Sequence, residues 1–298
     1  MLRLSGRFYV AAAIFLIILG FGVIGPLCTS TQVGQVVGGL YDPPSGHSWL
    51  GTDNLGHDVL TNLMYGTRTS LVIGLVAGSL ATAIGVLIGT ASGYRGGFVD
   101  NILMAFTNIV LTVPAIVLVV LISVSLPTRS NLTLAFVIAI VSWPWTARAV
   151  RAQTSSIRTR EHIDVAKLSG AKTPSIIVWD VLPYQFSYIA MAFVLQVSAA
   201  ILTEASLSLL GIGPSNGVSL GIMLHWSLAF ESVRTGAWWA FVPPTLILTF
   251  IAFGLLMLQS SLDEVFNPRL RRGRRRRGGV AAPTPGAAVI EVEEGASA

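Results

Sequence analysis

Four histidines, two lysines and one cysteine are the side chains of this 298-residue chain best suited to holding a metal, cradling a phosphate or attacking a substrate. His47, His57, His162 and His225 do not stand three or four residues from another His or Cys, the spacing that sets two ligands on one helix face. His57 beside Asp58 reads as a surface pair in a loop. A phosphate loop needs Lys directly after Gly, because the lysine and the loop amides grip the phosphates together. Lys167 follows Ala166 and Lys172 follows Ala171, so the chain cannot hold ATP by that device. No strand-to-helix elbow frames a nucleophilic Ser. With a single cysteine, Cys28, no intrachain disulfide is possible. The residues therefore assign no catalytic, cofactor or metal site. Glu204, beside Ala205, Ser206 and Ser208, is a carboxylate near the end of an apolar run. At membrane depth such a group is costly and often functional. We read it as an interface group or as part of a packing salt bridge.

The elements that carry these residues are set by composition. Hydrophobic residues make up 53% of the chain and charged residues 11%, against about 25% charged in a soluble domain. Water would not tolerate that much apolar surface; a bilayer would. A spanning helix needs about 20 residues with few charges. Charge-free runs predict spans at 8–27, 70–93, 102–125, 131–147, 184–208 and 238–261. The first run suits a retained helix better than a cleaved leader. A seventh run, Ala205 to Phe230, contains Gly211, Gly213, Pro214, Gly217 and Gly221. Such a cluster breaks a helix, and lipid does not accept irregular backbone. It is expected to form a loop followed by a short interfacial or re-entrant helix near Gly221 to Phe230.

Six spans put both termini on one side, together with sixteen of the nineteen Lys and Arg; Arg68, Arg129 and Arg234 fall on the other. The positive-inside rule makes the richer side cytoplasmic. Residues 28–69 then form a long external loop and 148–183 a long internal one. The expected organisation is 1–69 (first helix and external loop), 70–262 (membrane core) and 263–298 (basic cytoplasmic tail). In that tail seven arginines lock topology and touch anionic lipid, and the end reads as disordered. Gly74 and Gly78, then Gly85, Gly89 and Gly93, recur at four-residue spacing, which lets backbones approach. Internal packing and a subunit interface are both compatible with that stripe; we take packing.

The internal loop is not a linker. Residues 159–168 are polar with strong helix formers, Gly170 is a helix stop, and Thr173-Pro174 restarts with Thr as N-cap. A second short helix, 175–182, is expected to end at Pro183. The unit is a helix, a glycine turn and a helix at the membrane surface, where it either presents a knob to a partner or lies on lipid head groups.

At these residues the chain resembles a known family. Asp164-Val165-Ala166-Lys167-Leu168-Ser169-Gly170 followed by Leu182-Pro183 is similar to the "EAA" loop of ABC importer permeases, with Asp for Glu and Val for the first Ala. Ser48-Trp49-Leu50-Gly51-Thr52-Asp53-Asn54-Leu55-Gly56-His57-Asp58-Val59-Leu60 resembles a stretch of the second (C-type) permease of dipeptide and oligopeptide importers, which usually has Arg in place of His57. Gly93-Tyr94-Arg95-Gly96-Gly97, Glu204 to Gly211 and Asn267-Pro268-Arg269-Leu270-Arg271 match it as well. The resemblance implies an all-α polytopic fold of the type I ABC importer permease and transport by alternating access. It also implies a homologous second permease, two ABC ATPase subunits and an external substrate-binding protein, with no nucleic acid and no cofactor. Asp164, Ala166, Gly170, Leu182 and Pro183 would couple to the ATPase. Glu204 and Ser206 are kept as candidates for the translocation path. The alternative is a self-contained secondary transporter, a class that usually shows inverted repeats and intramembrane charges; neither is evident here.

The topology makes a direct prediction. In intact cells an impermeant thiol reagent should label Asp53→Cys and spare Pro285→Cys; the reverse pattern ends the six-span reading.

Overall fold

The computed structural model describes residues 6–215 and 217–266. Arg3, Asn216, the motif at 267–271 and the arginine tail lie outside them. The described residues form ten α-helices and one π-helical turn, with no strand beyond two isolated bridges. Five helices are long and apolar enough to cross a membrane, and a sixth span results if one bent pair is counted as one.

Helix α1 (Gly6–Cys28) falls where the first span was expected. Helix α2 (Val59–Arg95) is much longer than the predicted 70–93. The sequence reading stopped at Arg68, but that arginine is exposed on a continuous helix. The true start is Asp58, whose carboxylate accepts from the Thr61 amide at 2.8 Å and the Thr61 hydroxyl at 2.7 Å. The segment between α1 and α2 therefore ends at residue 58 rather than 69. At 37 residues α2 is about 55 Å long, well over the hydrocarbon thickness, so it projects from the bilayer.

The predicted span 102–125 is two helices, α3 (Gly97–Thr112) and α4 (Ala115–Ser125), bent by 81°. Pro114 causes the break: it has no amide hydrogen, and it drives Val113 into extended backbone (φ −93°, ψ 131°). Helix α5 (Asn131–Arg158), capped by Ser130, continues eleven residues past the predicted end at 147.

Beyond it lie α6 (Glu161–Leu168) and α7 (Thr173–Ile176), then the π turn Ile177–Val181, and then α8 (Leu182–Leu209). Two expectations fail here. Lys172, not Thr173, is the N-cap residue of α7, with Thr173 and Pro174 already in its first turn. Nor does a helix end at Pro183. The widened π turn, in which the Leu182 amide donates to the Ile177 carbonyl, takes up the proline ring, so 173–209 runs on as one span. Helix α9 (Leu220–Ala229) is the short helix expected after the glycine cluster, and α10 (Trp238–Phe266) closes the fold.

Packing centres on α2, which lies against α5 along one length and α8 along another. The glycine stripe makes this possible, and it is used inside the chain. A Cβ at Gly89 would stand 2.5 Å from the Ala147 carbonyl oxygen of α5, and one at Gly78 2.7 Å from the Val197 amide nitrogen of α8. Around that seam Ile73, Ala77, Ile138 and Leu207 form one core; Leu63, Leu71, Val197, Ile201 and Ile251 form another, joined by α1 and α10.

Gly78→Val should push α2 off α8, because the obstacle is backbone and cannot rotate away; overpacking of this kind costs about 1–3 kcal/mol or more. The thermal midpoint in detergent should fall by several degrees, while Gly20→Val, at a glycine with nothing within 4 Å, should leave it in place. Equal midpoints would contradict the seam.

Candidate functional site

The segment 148–183 is built outward from a small core of its own. Ile157 of α5, Ile163 of α6, Ile176 of α7 and Val181 of the π turn are buried together, with Tyr94 from the end of α2 and Ala166 packed against them. Two sets of bonds fix the helix ends beneath this core. Arg151 grips Asp100 with two parallel bonds, Nε to Oδ1 at 2.8 Å and Nη2 to Oδ2 at 2.5 Å, and Ser92 also donates to that carboxylate. Arg158 donates to the Tyr94 carbonyl at 2.9 Å. The ends of α2, α3 and α5 are thereby one rigid platform.

Helix α6 stops in a Schellman turn. The Gly170 amide donates to the Lys167 carbonyl at 3.0 Å and the Ala171 amide to the Ala166 carbonyl at 3.1 Å. Gly170 has φ +80°, which a β-branched side chain adopts only under strain, although nothing lies within 4 Å of where its Cβ would be. Stacking completes the mounting: His162 lies on Tyr184 with centroids 4.6 Å apart, and Arg160 sits over the same ring.

The residues picked from sequence separate by role. Asp164 and Gly170 are exposed; Asp164 pairs with Lys167 at 3.0 Å. Ala166 turns half-buried onto the isoleucine core, Leu182 is half-buried where α8 begins, and Pro183 is exposed. Sequence reasoning missed Val165, 61% exposed, and Leu168, 88% exposed. They are an i, i+3 apolar pair beside the inward pair Ile163 and Ala166, and that second apolar spacing was the available signal.

On the other side of the bundle the stretch 48–60 is a knot of hydrogen bonds. Asp53 accepts from the amides of Leu55 (2.8 Å) and His57 (2.9 Å) and from the Asn62 side chain (3.1 Å). His57 pairs with Asp53 at 3.3 Å and not with Asp58, which is occupied in capping α2. Trp239 donates to the Thr52 carbonyl at 3.0 Å, tying the knot to α10.

Glu204 also departs from expectation. It is fully buried inside the bundle, and among the described residues it has no salt-bridge partner. Ser70 of α2 donates to one carboxyl oxygen at 2.9 Å and Ser208 to the other at 2.7 Å, while the Leu220 amide at the start of α9 donates to Ser70. The carboxyl pins three helices. Ser206 is exposed and donates to the Leu202 carbonyl, so the two candidates do not share a site. The literal string Gly213-Pro214-Ser215-Asn216-Gly217, of the Gly-x-Ser-x-Gly form, was passed over in the sequence. It follows a helix rather than a strand, and Ser215 there accepts from the Arg129 amide at 3.3 Å.

Fold and site together define a polytopic helical membrane protein with a short surface helix mounted on a rigid platform. A family model described as the binding-protein-dependent transport system inner membrane component matches residues 85–272. The dipeptide transport system permease protein DppC of Bacillus subtilis is 33% identical over 274 residues, 91% of this chain and 85% of that protein. The oligopeptide transport system permease protein OppC of the same organism is 34% identical over 231 residues, 77% of this chain and 74% of that protein. OppC of Mycobacterium tuberculosis is 32% identical over 266 residues, covering 89% and 90%. A solved chain of the inward-facing MetNI methionine ABC transporter shares the fold, with TM-score 0.52 and 19% identity over 67% of this chain and 95% of that one. The chain belongs to the binding-protein-dependent transport system inner membrane component family, as a permease subunit of an ATP-binding-cassette importer. The self-contained secondary transporter finds no support among these relatives.

Proposed function

We propose that this chain carries dipeptides or oligopeptides through the cell membrane by alternating access, as one of two homologous permeases driven by two ATPase subunits and supplied by an external binding protein. The relatives named for dipeptide and oligopeptide transport support the substrate class. Both termini lie in the cytoplasm on this reading, with residues 1–58 forming the entry helix and external segment, 59–262 the core and 263–298 the tail. Hydrolysis belongs to the partners, since neither lysine follows a glycine.

One observation carries the coupling role. Leu168 and Val165 stand exposed on a helix whose opposite side, through Ile163, is locked into the platform. An apolar pair held so rigidly in water is suited to a groove on another protein. Asp164 adds charge beside it and Gly170 sets the angle at which the helix ends. A push on α6 would pass through Ile176 and the π turn into α8, and through Ile157 into α5, so docking and span movement are mechanically joined.

Gly170→Val should leave membrane insertion intact, because the turn does not set topology. The left-handed conformation costs a side chain about 1–2 kcal/mol, near tenfold in an equilibrium. Co-purification of the ATPase and peptide uptake should both drop by about that factor, whereas Gly170→Asn, which tolerates positive φ, should retain most of each. The purified chain alone should show no ATP hydrolysis. Wild-type uptake and assembly by Gly170→Val would reject the coupling role, and hydrolysis that survives removal of every partner would reject the division of labour.

A further inference from the structure

A cavity lies between α5, α8 and α10, away from Glu204 and Ser206. It has a volume of about 690 Å³, within the range of small-ligand sites. Its polar wall is Gln153 of α5, Gln185, Ser187 and Tyr188 of α8 and Gln259 of α10, with Met191 deeper along α8. Among the described residues that line it, none is charged. Gln185 is committed, its amide donating to Thr154 at 3.1 Å. Gln153, Ser187, Tyr188 and Gln259 make no side-chain hydrogen bond to the described residues. Amides facing hydrocarbon would be costly, so the unbonded amides of Gln153 and Gln259, lining the same cavity as the buried Gln185, mark a wet surface. They stand in the last turns of α5, the first turn of α8 and the last third of α10. All three positions belong to the cytoplasmic half of the bundle on the sidedness given above.

We propose that this cavity is the inner section of the translocation path and holds a peptide in transit by its main-chain amides. The proposal rests on the peptide reading under Proposed function and adds the recognising groups. A glutamine amide and a phenol both donate and accept, as a peptide group does, so they fit the part that every peptide shares. The uncharged wall has a consequence: it neither attracts nor repels a substrate side chain by charge, so selection by charge is not made here. A charge placed on the wall would create that selection.

The test uses the full importer in proteoliposomes, with the partner ATPases and binding protein. Uptake of three tripeptides of net charge +1, 0 and −1 is measured for wild type, Gln259→Glu and Gln259→Lys. The +1 to −1 uptake ratio should rise about tenfold for Gln259→Glu and fall by a similar factor for Gln259→Lys, as expected for charges about 6 Å apart in a water-filled cavity with a dielectric near 80. Gln153→Glu and Gln153→Lys, on the facing helix, give the same comparison if the α10 variants do not assemble. Gln259→Cys in a Cys28→Ser background should also react with a water-soluble thiol reagent applied from the cytoplasmic side. Normal wild-type uptake with ratios that do not move in opposite directions overturns this proposal alone, as does a Gln259→Cys thiol closed to the reagent. No uptake of any peptide by the wild-type importer overturns the peptide reading and this proposal with it.

Discussion

Helix α2 lies so close to α5 and α8 that main chain meets main chain, and the rest of the fold is arranged around that contact. In a bilayer, apolar side chains gain little by leaving lipid for one another, so helix association depends on close van der Waals approach. Gly89 against the Ala147 carbonyl and Gly78 against the Val197 amide provide that approach. Once α5 and α8 are seated on α2, both ends of the seam can be tied. At one end Glu204 gathers Ser70 and Ser208; at the other Arg151 closes on Asp100. Neither cluster could form if the helices stood a methyl group further apart.

The same seam explains how a short surface helix can matter to a bundle beneath it. Helix α6 has only eight residues and would not be stable alone. It is stable here because Ile163 enters a core to which the ends of α2 and α5 and the π turn before α8 all contribute. Whatever moves α6 moves helices already locked together. The π turn keeps α7 and α8 in one rod despite Pro183, where a break would have absorbed the motion.

Much of this was legible in the sequence, unevenly. The spans could be read because a charge-free run of 20 residues has few other uses, and the rejected seventh run because its glycines cannot serve in lipid. The limits were misread where charge and membrane depth part company. Arg68 looked like a boundary but rides on a helix that projects beyond the bilayer, and α5 runs on past Ala147 for the same reason. Prolines were ambiguous: Pro114 breaks its helix, Pro183 is absorbed by a π turn, and Pro144 sits inside α5. Nothing local separates these outcomes, since each depends on neighbouring helices that re-satisfy the backbone. In the segment 159–183 the glycine turn was readable and the exposed face was not. Choosing Leu168 over Ala166 requires knowing that Ile163 points inward. The surroundings of Glu204 were half legible: Ser208 stands four residues on in the same helix, but Ser70 comes from α2, 134 residues away.

The central claim is that the outer face of α6 is the contact through which the ATPase moves the membrane helices. The most direct measurement is cross-linking in the assembled importer, with single cysteines in a Cys28→Ser background and a short thiol-to-amine reagent. Leu168→Cys and Val165→Cys should cross-link to the ATPase in high yield, and Trp49→Cys, exposed in the 48–60 knot at the other end of the bundle, should not. An ATPase that co-purifies normally yet cross-links to neither Leu168→Cys nor Val165→Cys would contradict the account.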